Sequence, residues 1–168
     1  AQLLLVLLSP VLAIVSAAFL FAVDLLWQVC GTRRPPTNRQ ARNSAATVVI
    51  PNWNGRDLLA KYLPSIVEAL AANSDNEILV VDNASTDGSA EFLRASFPNV
   101  QVVALDRNYG FGGGSNRGFA AATNDIVVLL NSDMRVGVDF LQPLLDGFGA
   151  PDIFAVSCQI FFSDPTKL

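Results

Sequence analysis

Glu77-Ile78-Leu79-Val80-Val81-Asp82-Asn83-Ala84-Ser85-Thr86-Asp87-Gly88 passes from an apolar, β-branched run straight into a cluster of small polar residues. Residues 77–82 read as a buried strand, because no polar residue interrupts 78–81 and both faces then need covering. The polar cluster reads as a strand-to-helix turn, with Ser85 or Thr86 as the expected N-cap of a helix through Phe92 and Leu93. The same residues have a second reading, in which acceptor and donor groups meet the edge of a pyrimidine ring. Asp87 reads as structural, tying down the turn.

The pattern repeats on both sides of this stretch. Thr47-Val48-Val49-Ile50-Pro51 is a short strand stopped by proline, and residues 56–72 follow with helical spacing at Leu58, Leu59, Tyr62, Leu63, Ile66 and Leu70. Val100 to Leu105 predicts a third strand, followed by a glycine-rich turn and a helix through Phe119. Asp125 to Leu130 predicts a fourth strand leading into Asn131-Ser132-Asp133, and Ile153 to Phe161 a fifth. Apolar strands alternating with helices predict a mostly parallel α/β sheet with helices on both faces. Ligands in such sheets bind beyond the C-terminal strand ends, where the strand order reverses. Asn52 and Asn54, Asp82 and Asn83, and Asp133 all fall at such ends.

Composition adds a second region. The chain has 168 residues, 51% hydrophobic and 15% charged, and Leu3 to Val23 holds no charged residue. At about 1.5 Å per residue that stretch reaches about 30 Å, the thickness of a bilayer's hydrocarbon core. The reading is one transmembrane helix over 1–30, with Trp27 at the interface. A buried helix or hairpin is the plainer alternative. A signal peptide would carry its basic residues first, whereas here Arg33, Arg34, Arg39 and Arg42 follow, in a Pro/Arg/Asn linker over 31–46. That order places the remaining part, 47–168, on the cytoplasmic face of the inner membrane.

A net charge of −4 argues against nucleic-acid binding. With no histidine in the chain, any metal site must use oxygen or thiolate ligands. Cys30 and Cys158 lack paired spacing and read as buried small residues. Asp133, at the mouth of an apolar strand, is either a turn cap or a ligand for Mg²⁺ or Mn²⁺, with Asn131 as a neutral helper. The run Asn108-Tyr109-Gly110-Phe111-Gly112-Gly113-Gly114-Ser115-Asn116-Arg117-Gly118 opens a helix. It suits either a phosphate at the helix N-terminus or close helix packing.

Val48 to Gly55, Val80 to Gly88, the Asn-x-Gly-Phe turn with Asn116-Arg117-Gly118, and Leu129 to Asp133 together resemble family-2 glycosyltransferases, nearest the rhamnosyltransferase-like branch. The resemblance covers Thr47 onward. It implies an incomplete GT-A fold, Rossmann-like, preceded by the membrane helix. It also implies an inverting transferase that moves a sugar from a UDP- or dTDP-linked donor to a glycan or lipid-linked acceptor. Pro51, Asn52, Trp53 and Asn54 match the base- and ribose-contacting segment after the first strand, and Asp82 and Asn83 the segment after the second. Asn116 and Arg117 match the segment near the sugar-nucleotide. Asp133 matches the final acid of the metal motif, and Asn131 stands where its first acid is common.

No catalytic base is identified. Asp139 and Asp146 read as helix-surface residues, and the family's base lies later than this chain reaches. Both chain ends look cut. A non-catalytic, membrane-anchored binding or scaffold module is the second reading, favoured by Asn131 and the missing acceptor half. A sugar-phosphate nucleotidyltransferase ranks last, because Asn52-Trp53-Asn54-Gly55 is not a glycine-rich basic loop.

Overall fold

The computed structural model describes residues 2–30 and 41–161, the side chains of residues 2–8, 11 and 28–30 excepted. The chain divides into two units, Ala1–Asn38 and Arg39–Leu168. Of the expected basic linker, residues 31–40 lie outside the description, with Arg33, Arg34 and Arg39 among them.

The first unit contains α1 (Gln2–Cys30), a continuous helix that includes Pro10. Ile14, Phe19, Phe21 and Trp27 are exposed on it. Among the described residues no helix is long and apolar enough to cross a membrane.

The second unit is an α/β sheet. Its elements are β1 (Ala46–Asn52), α2 (Arg56–Leu70), β2 (Glu77–Asp82), α3 (Ser89–Ser96), β3 (Gln101–Ala104), α4 (Gly110–Ala121), β4 (Ile126–Leu129) and α5 (Leu141–Asp146). All ladders are parallel and the strand order is β3-β2-β1-β4. The chain therefore builds outward from β1 to β3, then returns across the sheet to lay β4 on β1's other side. That reversal makes the β1/β4 boundary the switch point.

Side chains alternate along the two central strands and bury both faces. Val48, Ile50, Ile78 and Val80 pack with Leu59, Leu63 and Ile66 of α2, Leu93 of α3 and Leu145 of α5. Val49, Leu79 and Val81 form the opposite cluster. There α4 lies so close that a Cβ on Gly118 would sit 2.3 Å from Val49 Cγ1. Pro51 falls beyond the last β1–β4 pair, Val49 with Leu129, so its missing N–H costs that ladder nothing.

Four expectations are corrected. Residues 153–161 form no strand: no ladder takes them up, and Phe154 is 98% exposed. β4 is an edge strand and is not covered throughout, with Leu129 exposed at its end. Cys158 is exposed, because it lies in that unpaired segment; the Cys30 side chain lies outside the description. Helix α3 starts after Gly88, not at Ser85 or Thr86, because those two side chains are engaged with the β1 loop.

Candidate functional site

The loops after β1 and β2 are laced together along the C-terminal sheet edge. Asn52 and Asp82 are paired residues of the ladder, and Asn52 Nδ2 donates to Asp82 Oδ1 at 3.1 Å. The Asn83 N–H donates to the Asn52 carbonyl at 2.8 Å. Asn54 is left-handed at φ 51° and reaches across: its N–H donates to Ser85 Oγ, and its Oδ1 accepts from the Thr86 N–H, both at 2.8 Å. Lower down, the Arg56 N–H donates to Asp87 Oδ2 at 2.9 Å.

Asp87 Oδ1 accepts from the N–H and hydroxyl of Ser89, so this carboxylate ties the first residue of α3 to the turn, while Gly88 takes the N-cap position without a side-chain bond. Burial raises its affinity for a proton. The bonds from Ser89 and Arg56 outweigh burial and hold the carboxyl below its ordinary range. The structural role expected for Asp87 is thus observed.

Asn83 performs a second stitch. Buried beneath the glycine-rich turn, it donates through Nδ2 to the Gly110 carbonyl and accepts at Oδ1 from the Tyr109 N–H, both at 2.9 Å. This clamps the first turn of α4 to the end of β2. Gly113, Gly114 and Gly118 lie against Tyr109, Asn83 and Val49 respectively, so close packing accounts for these three glycines. Arg117 lies along its own helix, donating to the Gly113 carbonyl at 3.0 Å, with Cζ 3.4 Å from the Tyr109 ring centroid. Asn116 is exposed on the same helix.

The turn after β4 meets the turn after β1. A Cβ on Gly55 would lie 2.4 Å from Asn52 Oδ1, so glycine lets the β1 turn fold back over Asn52, and at 3.6 Å from Ser132 Oγ it would stand at ordinary contact distance from the β4 turn. The edge therefore gathers the sequence-predicted residues into two groups. Asn52, Asp82 and Asn83 are buried and committed to protein partners. Trp53, Asn54, Asn116, Asn131 and Asp133 are exposed, while Pro51 and Arg117 are half-buried. Asn52 Oδ1 is buried without a hydrogen-bond partner.

No group of three or more acidic, cysteine or histidine side chains that could hold a metal occurs among the described residues. Nor does any hydrogen bond or ion pair there hold the Asp133 carboxylate. Mg²⁺ is commonly bound through one or two carboxylates plus substrate phosphates while keeping several waters. A single unengaged carboxylate on a turn fits an ion that arrives with a phosphate ligand and does not fit a resident, protein-only site. Asp139 and Asp146 are exposed, and Asp146 accepts from Gln142 Nε2 at 2.8 Å.

At the opposite sheet edge is a network without any sequence signal. Glu77 accepts from the Thr47 hydroxyl at 2.6 Å, from the Thr123 N–H and hydroxyl at 3.2 Å, and from Gln101 Nε2. Burial raises its carboxyl, and these bonds together bring it below the ordinary value. The three partner residues, Thr47, Gln101 and Thr123, are far apart in the chain, so no local motif announces them.

Comparison with known proteins agrees with this architecture. Residues 47–167 match the family model described as Glycosyl transferase family 2. An uncharacterized glycosyltransferase of Nostoc is 34% identical over 66% of this chain and 34% of its own length. The undecaprenyl-phosphate 4-deoxy-4-formamido-L-arabinose transferase of Edwardsiella ictaluri is 38% identical over 53% of this chain and 29% of its own. The succinoglycan biosynthesis protein ExoO of Rhizobium meliloti is 34% identical over 60% and 28%. This chain thus matches about a third of the length of these relatives. The structure of S. aureus TarS 1-349 in complex with UDP-GlcNAc superposes with a TM-score of 0.57 at 22% identity, covering 62% of this chain and 31% of that one, and supports the fold. The chain belongs to glycosyltransferase family 2.

Proposed function

We propose that residues 47–168 form the nucleotide-sugar half of an inverting glycosyltransferase that uses a UDP- or dTDP-linked sugar. The observation carrying this reading is the meeting of the β1, β2 and β4 loops at the switch point, where parallel α/β sheets take ligands. Asn54, Trp53 and Asn116 supply exposed polar and aromatic groups to that edge. Asn52, Asp82 and Asn83 hold its shape from beneath.

Asp133, with Asn131 beside it, would hold Mg²⁺ or Mn²⁺ together with the diphosphate. Such an ion, when bound, neutralises charge that develops on a departing diphosphate. Asp133 fixes where that charge is met, and Asn131 adds an amide oxygen without a second negative charge. The printed names of the Edwardsiella and Rhizobium relatives favour a lipid-linked or glycan acceptor in cell-envelope polysaccharide synthesis. The four motifs that together carry the family resemblance favour a rhamnosyl-type branch. The uncharged stretch Leu3 to Val23, followed by arginines, favours an inner-membrane anchor with the catalytic part in the cytoplasm. Retention in the membrane pellet after carbonate washing tests that anchor, and release into the supernatant removes it.

Calorimetric titration of the chain with UDP and dTDP, with and without Mn²⁺, tests the site. Metal-dependent binding that is lost in Asp133→Ala supports it, and a folded chain that binds neither nucleotide sinks it. Asn131, in place of an acid, favours a second reading as a non-catalytic nucleotide-sugar-binding module. Binding without any sugar transfer by the longer protein would select that reading.

A further inference from the structure

Asn52 Oδ1 is an acceptor that the fold leaves without a donor. Asn52 is 2% exposed, and its Nδ2 is committed to Asp82 Oδ1 at 3.1 Å and to Ser85 Oγ at 3.3 Å. The amide therefore cannot turn over without breaking both bonds. Among the described residues Oδ1 is the one buried side-chain polar atom without a partner. Such atoms are rare in folded chains, because their lost hydration is replaced by nothing. This one faces Gly55, where a Cβ would lie 2.4 Å from Oδ1 and 3.6 Å from Ser132 Oγ. Glycine has no Cβ, so residue 55 puts no side chain between the two oxygens.

Ser132 is the matching donor. It is half-buried between Asn131 and Asp133, which are both exposed, and its hydroxyl makes no hydrogen bond among the described residues. The turn that carries it is tied at its ends. The Leu130 N–H donates to the Val49 carbonyl at 3.0 Å, and the Val136 N–H to Ser65 Oγ at 3.3 Å. Between these anchors the Met134 N–H donates to the Asn131 carbonyl at 3.3 Å, a bond inside the turn itself. Among the described residues no hydrogen bond fastens Ser132 or Asp133 to the rest of the sheet edge. A serine hydroxyl moves among three staggered positions, so a small advance of this turn joins the orphan acceptor to the idle donor.

We propose that Ser132 is a positioning residue for Asp133: in the nucleotide-bound chain its hydroxyl donates to Asn52 Oδ1 and latches the acid-bearing turn to the β1 loop. This rests on the reading of Asp133 as the carboxylate that meets a divalent ion and a diphosphate. Ordering the turn costs conformational entropy of the same order as one neutral hydrogen bond contributes, so the free chain stays open. A ligand that engages Asp133 in the closed arrangement shifts that balance, and the new bond adds to its affinity. Because Asp82 fixes the Asn52 amide, the latch gives Asp133 one place at the β1/β4 switch point.

The test is calorimetric titration of the full chain in detergent solution with UDP and with dTDP, with and without Mn²⁺, beside urea denaturation without ligand. Wild type is compared with Ser132→Ala, Ser132→Thr and Asp133→Ala. Loss of one neutral hydrogen bond predicts Mn²⁺-dependent binding about fivefold weaker for Ser132→Ala. Its ligand-free stability should match wild type, because the open turn makes no such bond, and any binding measured without the ion should change by less than about twofold. Ser132→Thr keeps the hydroxyl and is expected within about twofold of wild type throughout. Mn²⁺-dependent binding by Ser132→Ala within about twofold of wild type overturns the proposal. So does a ligand-free Ser132→Ala that is destabilised or unfolded, which places the hydroxyl in the resting fold. An equal loss with and without Mn²⁺ also overturns it, since the hydroxyl would then act on the nucleotide and not through Asp133. Wild type that binds neither nucleotide, or binds without regard to Mn²⁺, removes the Asp133 reading and Ser132's role together. Mn²⁺-dependent binding that is lost in Asp133→Ala but indifferent to Ser132 removes Ser132 alone.

Discussion

Asn52 and Asp82 stand opposite each other at the ends of β1 and β2, joined by Nδ2 donating to Oδ1 at 3.1 Å. The carboxylate fixes which way the amide points, since an ionised acid can only accept. That orientation sends the second N–H of Asn52 to Ser85 and leaves Asn52 Oδ1 buried without a partner. One side-chain pair thereby sets the geometry of both loops at the candidate site.

Replacing either member is therefore expected to be costly. Asp82→Ala strands the Asn52 amide and should destabilise by about 1–3 kcal/mol in urea denaturation. Asn52→Asp would set two carboxylates against each other, and like charges in contact raise one of the two pKa values. That variant should be destabilised at pH 7 and regain stability as the medium is acidified toward pH ~5, where the pair takes up a proton.

Glu77 gives the wild type the opposite slope. Its folded-state pKa lies below the ordinary 4.5, so its bonds contribute stability fully above that pH. The contribution is lost as pH falls through the lowered value. Glu77→Gln should be less stable at neutral pH and show a shallower loss as pH falls below the ordinary 4.5 in thermal melts.

Gly118 is a packing residue. A Cβ there would lie 2.3 Å from Val49 Cγ1 and 3.0 Å from Val81 Cγ2. Overpacking of this kind costs about 1–3 kcal/mol, so Gly118→Ala should lower the melting temperature. Adding Val49→Ala should return part of the loss, and strictly additive losses would show that the two residues are uncoupled.

Asp133 should separate stability from function. It is exposed, with no hydrogen bond or ion pair among the described residues, so Asp133→Ala should change unfolding free energy by less than about 0.5 kcal/mol. The same substitution should abolish any Mn²⁺ dependence of UDP binding. A large stability change would instead show that Asp133 is a turn cap.

Much of the sheet could be read from the chain because its central strands are apolar on both faces. Residues 77–82 occupy β2 to the residue, and β1 and β4 lie within a residue or two of the expected runs. Helix α2 likewise buries Leu59, Leu63, Ile66 and Leu70 along the predicted stripe. The reading failed where apolarity had no partner. Residues 153–161 are as β-prone as β1, yet no neighbouring strand supplies their hydrogen bonds, and a strand exists only in a ladder.

The candidate site divides along the same line. Sequence alone determined which polar residues reach the C-terminal edge, because a strand's end and the turn residues after it are local properties. It also carried the family resemblance, since that rests on order and spacing. Only the tertiary structure decided what each polar group does there. Asn52, Asp82 and Asn83 became internal stitches, Asp87 tied down the start of α3, and Ser85 was taken up by the β1 loop instead of capping a helix. A side chain's hydrogen-bond capacity is written in its chemistry, but which part remains unused depends on neighbours some thirty residues away, and those are set only when parallel strands pair.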